Sequence, residues 1–151
     1  MYQKDSTTKN YKKNFIHISG AMGLRVLPEY GVEHYPNIAF SIHYGRRIGK
    51  ISKLFGGIDY FRDWGLNTEY KNTPNLDINR LGLYLGHEFM FGKAGLFVGL
   101  GRYLYSKVGW SDYYIKAGLR YHFMPHIYGA LILKTHWGQA DTFEWTLGYT
   151  L

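Results

Sequence analysis

Residues 126–151, HIYGALILKTHWGQADTFEWTLGYTL, alternate apolar and polar side chains with a period of two, which limits the segment to paired β-strands. Odd positions carry Ile127, Leu131, Leu133, Trp137, Phe143, Trp145, Leu147, Tyr149 and Leu151, whereas even ones carry Lys134, His136, Thr142, Glu144, Thr146 and Thr150. The halves meet at Gly138-Gln139-Ala140-Asp141. A turn centred on Ala140 sets His136 opposite Glu144 and Gly138 opposite Thr142, placing a His–carboxylate pair near one hairpin tip.

The same alternation recurs upstream. Residues 111–123 put Tyr113, Ile115, Ala117, Leu119, Tyr121 and Phe123 against Asp112, Lys116, Gly118, Arg120 and His122, and residues 76–91 put Leu81, Leu83, Leu85, Phe89 and Phe91 against Arg80, Gly82, Tyr84, Gly86 and Glu88. Residues 37–45 and 14–26 behave alike, with His43 and His17 on their polar faces. Segments 94–108 and 53–63 are weaker, and both suggest a bulge. His87 and Arg102 fall on apolar faces, where they meet lipid headgroups or mark a strand end or a register shift. Eight strands of this length suit a bilayer crossed at a tilt. The connections alternate too. Gly45–Ser52, Gly92–Gly95 and Met124–His126 are short or basic, while Leu27–Tyr35 and Trp64–Asn75 are long; Gly138–Asp141 breaks the rule.

Alternation alone fits a soluble barrel with an apolar lumen as well as a membrane barrel with a polar one. Size decides between them, because an eight-stranded lumen is narrow and the small residues Gly23, Gly82, Gly101, Gly118, Gly148, Ser19 and Ser41 cluster on the polar face. Tyr44, Tyr113, Trp137, Trp145 and Tyr149 punctuate the ends of the apolar face as interfacial girdles do. The expected fold is therefore all-β, an eight-stranded antiparallel up-and-down transmembrane β-barrel over residues 14–151 behind a polar N-terminal tail at 1–13.

Composition agrees. In 151 residues there are 15 Tyr, 9 Phe, 4 Trp and 19 Gly, and no cysteine, which removes disulfides, zinc thiolates and cysteine nucleophiles together. The N-terminus, MYQKDSTTKNYKKN, is polar rather than a signal peptide, so export implies a leader trimmed before numbering began. The net charge of +7 admits nucleic acid or anionic lipid. Lys9, Lys12, Lys13 and the turn Arg46-Arg47-Ile48-Gly49-Lys50 lack a stacking platform or nucleic-acid motif and read as a solvated rim on the N-terminal side of the membrane. His17, His43 and His122 have no carboxylate spacing of a metal site, so neither metal nor cofactor is expected.

Lys134-Thr135-His136, Ala140-Asp141, Glu144-Trp145 and Gly148-Tyr149, together with GHEFMFGKAGLFVGLGRYLY (86–105) and YIKAGLRYHF (114–123), resemble the bacterial acyloxyacyl hydrolase-like proteins, which belong with the lipid A 3-O-deacylases. The resemblance implies an outer-membrane barrel that removes an acyl chain from lipopolysaccharide with a Ser–His–Glu triad. In that scheme His136 is the general base and Glu144 orients its imidazole. Gly138 stands where the family has its serine, and Gln139 where an asparagine supplies an oxyanion donor. Thr142 or Ser111 is then the nearest hydroxyl, Gln139 the oxyanion candidate, and water activated directly by His136 a further option. The family's site opens from the barrel wall to lipid, whereas the register above points His136 and Glu144 into the lumen; one bulge near Gly138 reverses that.

Two functions stay open. One is an outer-membrane ester hydrolase whose partners are lipid A and outer-membrane lipids, monomeric or a weak homodimer. The other is a non-enzymatic or catalytically dead barrel, in which His136 and Glu144 are one more paired contact in a lumen already holding Asp59, Arg80, Glu88, Lys116, Arg120 and Lys134.

Overall fold

The structure, a computed structural model, is described over residues 13–26, 34–107, 111–136 and 139–151, and the side chains at 26, 69 and 139–141 lie outside that description. Eight strands run β1 (Asn14–Val26), β2 (His34–Arg47), β3 (Ser52–Asp63), β4 (Asn79–Phe91), β5 (Ala94–Ser106), β6 (Tyr113–His122), β7 (Ile127–His136) and β8 (Gln139–Thr150). Each pairs antiparallel with its chain neighbours, and β1 pairs with β8, closing the barrel. Between β3 and β4 one helical turn, α1 (Gly65–Glu69), interrupts the segment read from sequence as loop, and Leu66 within it is buried.

The faces follow the alternation. Met22 is 71% exposed and Leu147 65%, an apolar exterior that water would not tolerate and a bilayer would cover. Polar residues of the other parity point inward. One bulge leaves Leu104 unpaired, because Leu81 faces Tyr105 and Gly82 faces Tyr103. That is the irregularity expected in 94–108. The one expected in 53–63 is absent, since β3 holds continuous register with both β2 and β4.

The last hairpin differs from expectation. β7 ends at His136 and β8 begins at Gln139, so two residues link them rather than the four of Gly138–Asp141. Ile132 faces Glu144, Lys134 faces Thr142 and His136 faces Gln139, with Asp141 skipped as a bulge. Over most of its length the hairpin is displaced from the expected register by an even number of positions. Such a shift keeps every side chain on its own face, so alternation cannot detect it.

The lumen is filled. Toward the short turns, Arg120 donates to Glu88 at 2.8 Å and to His17 Nε2 at 3.0 Å, while its guanidinium lies 4.6 Å over the Tyr128 ring. At mid-height Asp59 accepts from Lys116 at 2.7 Å, Ser41 at 2.6 Å and Tyr114 at 2.8 Å, with His43 Nε2 at 2.8 Å. Toward the long loops Arg25 donates to Asp63 at 2.9 Å, and Asp63 also accepts the Gly65 N–H at 2.9 Å. Removing one member of such a buried pair leaves a charge uncompensated, which costs about 3–5 kcal/mol. Glycine makes room for the rings: a Cβ at Gly101 would fall inside the Tyr114 ring, and one at Gly148 against Tyr128.

Candidate active site

His136, Thr142 and Glu144 all lie inside the barrel, at 3%, 2% and 1% exposure. They occupy lumen positions because they share the parity of Lys134 and Thr146, and the bulge at Asp141 sits on β8, leaving His136 on β7 undisturbed. The inward orientation is the one the register expectation gave; the lipid-facing site implied by resemblance is not what this arrangement presents.

The expected facing pair of His136 and Glu144 is not formed. Glu144 sits opposite Ile132 on β7, four residues from His136, a separation of about 13 Å along the strand. What meets His136 instead is Tyr103. Its hydroxyl and His136 Nε2 share a hydrogen bond of 3.0 Å, the two rings stack at 5.8 Å, and the Arg80 guanidinium lies 4.9 Å from the Tyr103 centroid. Tyr103 comes from β5, and it belongs to the site because it lies on the inward parity of Phe97 and Gly101, just before the Leu104 bulge.

Glu144 has a different environment. Lys134 Nζ stands 3.9 Å from its Oε1, and neither carboxylate oxygen has a hydrogen-bond partner among the described residues. On β1 it faces Gly23, where an added Cβ would meet both Asn37 Oδ1 and, at 2.8 Å, Glu144 Cγ, so the glycine lets the carboxylate and the carboxamide crowd together. Neither Asn37 amide atom has a hydrogen-bond partner among the described residues. Lys134 also lies 4.4 Å from the Phe61 ring centroid.

Thr142 faces Lys134 on β7 and Arg25 on β1, diagonal to His136 rather than opposite Gly138. Gly138 and the Gln139 side chain lie outside the described residues; the Gln139 backbone pairs with His136. Ser111 is committed locally, its hydroxyl donating to the Tyr113 carbonyl at 2.7 Å and accepting the Tyr113 N–H at 3.1 Å. A hydroxyl meets a histidine elsewhere too, Ser52 with His87 at 2.6 Å on the outer wall and Thr150 with His17 at 2.8 Å in the lumen.

The site is thus a set of buried links at the long-loop end of the lumen: His136 to Tyr103, Glu144 to Lys134, Thr142 beside them. Sequence reasoning supplied the three residues and their face but missed Tyr103 and Asn37. The only signal for either was inward parity on its own strand.

Comparison with known proteins bears on the fold and the family. No curated protein matches the chain. A designed transmembrane β-barrel superposes with a TM-score of 0.63 at 12% identity, over 93% of this chain and 98% of that one. Neisserial surface protein A gives 0.53 at 11% identity over 91% and 96%, and Ail, the attachment invasion locus protein of Yersinia pestis, 0.51 at 13% over 93% and 100%. At such identities these establish the fold, an outer-membrane-type barrel. The model of the acyloxyacyl hydrolase C-terminal domain matches residues 14–151, from the first residue of β1 to the end of the sequence, and the chain belongs to that family.

Proposed function

We propose that this chain is an outer-membrane barrel facing lipopolysaccharide, in which His136, Thr142 and Glu144 secure the lumen rather than cleave an ester. The burial of His136 carries this reading. A general base for acyl transfer must reach a nucleophile and a substrate carbonyl together. Here the imidazole is 3% exposed and engaged by a buried tyrosine, and the carboxylate that would orient it is held by a lysine instead. Gly138 offers no hydroxyl where the family places its serine.

The second reading is hydrolysis of an acyl ester of lipid A. Family membership favours it, and so does the hydroxyl 3.0 Å from His136 Nε2. In that reading His136 is the base, Glu144 and Thr142 complete the polar set, and Gln139 donates to the oxyanion. Mass spectrometry of lipid A after incubation with refolded protein separates the two, with His136→Ala alongside and folding checked by heat-modifiable gel mobility. Unchanged lipid A with both proteins is the expected result. Loss of one acyl chain with the parent alone would replace the structural reading with the hydrolytic one.

A further inference from the structure

Outward positions on β3 and β5 are mostly apolar, among them Leu54, Ile58, Leu96, Val98 and Leu100. Two guanidinium groups break that face, Arg62 and Arg102, both exposed. Arg62 is the penultimate residue of β3 and pairs with Asn79, the first of β4; Arg102 pairs with Tyr113, the first of β6. Each therefore stands beside the first residue of one neighbouring strand, on the side of the long β3–β4 connection, with Arg102 also beside Leu83, four residues farther along β4 than Asn79.

Both are held in the same way. Arg62 lies 5.3 Å from the Trp64 ring centroid and Arg102 5.7 Å from that of Tyr113. Ring contact engages a guanidinium through its flat face and leaves the N–H fork along its edge for an anion. Among the described residues no carboxylate comes within ion-pair distance of either one. Two carboxylates lie on that rim, the exposed Asp112 just before Tyr113 and Asp77 just before β4, and Asp77 accepts from the Tyr105 hydroxyl at 2.6 Å, the Asn79 N–H at 3.0 Å and the Asn79 amide at 2.7 Å. Tyr60 in turn donates to Asn79 Oδ1 at 2.7 Å.

An arginine on a lipid-facing wall is costly to desolvate unless it reaches the interface and finds an anionic partner there. Aromatic residues mark that depth, and the longer loops mark the outward-facing leaflet. We propose that Arg62 and Arg102, braced on Trp64 and Tyr113, bind the phosphate groups of a phosphorylated glycolipid in that leaflet, an assignment that rests on reading the barrel as lipopolysaccharide-facing. The planar fork suits bidentate contact with a terminal phosphate better than with the shielded diester of an ordinary phospholipid.

Native mass spectrometry of the full refolded chain, released from phosphatidylcholine nanodiscs loaded with bisphosphorylated lipid A, its dephosphorylated form or phosphatidylglycerol, tests this. The parent is expected to retain the phosphorylated glycolipid about tenfold more than the other two, and R62Q/R102Q to lose that preference, as two charge-assisted contacts of this kind would give. R46Q, on the opposite rim, keeps it. Equal retention by parent and double variant, equal retention of the dephosphorylated form, or equal retention of phosphatidylglycerol would each overturn the assignment. The acyl-chain count of the retained lipid reports hydrolysis separately, and heat-modifiable mobility reports folding, so failure of the underlying reading is visible apart from failure of the arginine site.

Discussion

In the short-turn half of the lumen Glu88 accepts from Arg120 Nη1 at 2.8 Å, with Lys53 Nζ 3.7 Å away and His17 on the same guanidinium nitrogen. In the long-loop half Glu144 has Lys134 Nζ at 3.9 Å and, among the described residues, no hydrogen bond to either oxygen. Both carboxylates are 1% exposed, so burial alone does not tell them apart. The contrast lies in geometry: one belongs to a network that uses its lone pairs, the other is a loosely held charge beside a carboxamide in the same condition. A buried ion stabilises a fold only where its hydrogen bonds are met. By that measure Glu88 anchors the short-turn half, whereas the long-loop half is anchored by the Arg25–Asp63 pair and not by Glu144.

The sharpest way to break this comparison is to remove the same charge from both halves. Glu88→Gln leaves Arg120 buried without its counter-ion and should destabilise the refolded barrel by about 3–5 kcal/mol, read from urea midpoints in lipid vesicles. Glu144→Gln takes the counter-ion from buried Lys134 but breaks no formed hydrogen bond, the pair standing 3.9 Å apart, so it should cost less, about 1–2 kcal/mol. Equal losses would show that the two halves are equally anchored.

Tyr103→Phe sharpens it further. Losing one buried hydrogen bond to His136 should lower stability by about 1–2 kcal/mol in the same assay. A loss as large as that of Glu88→Gln would mean that the Tyr103–His136 link, not the Arg120 network, sets the stability of the wall.

The smallest effect is a pH response at the long-loop rim. The Tyr105 hydroxyl, then the Asn79 backbone and side chain, hold the Asp77 carboxyl below the usual carboxylate range. A native value below the unfolded one, about 3.9, stabilises fully above that pH, and the contribution disappears as pH falls through the native value. Protection of the Asn79 amide, after correction for the intrinsic pH dependence of exchange, should therefore fall only below about pH 4, and Asp77→Asn should abolish that fall. The same acid response in that variant would assign it to another group.

How much of this could be read beforehand follows from what alternation encodes. It reports which face a side chain takes, and so it identified the barrel, the inward histidines and the strand from Asn14 to Val26 to the residue. It is blind to even shifts of register, and the pairing of Ile132 with Glu144, four positions from the expected one, is such a case, separating Glu144 from the histidine it was expected to face. Bulges are visible as lapses in pattern, but a lapse is no proof: that at Leu104 is real, while 53–63 runs unbroken. The partner of His136 lies 33 residues away in sequence, on a strand it does not pair with, and no local signal connects two such positions.

The packed lumen has a consequence for permeability. Its small cavity of about 20 Å³, bordered by Ser19, Ser41, His43, Lys116, Arg120 and Thr146, is room for about one water molecule and no file of them. At that height the described side chains leave no continuous water-filled path, unlike the open lumen of a larger barrel. There the lumen braces the wall from inside as a polar plug rather than lining a channel.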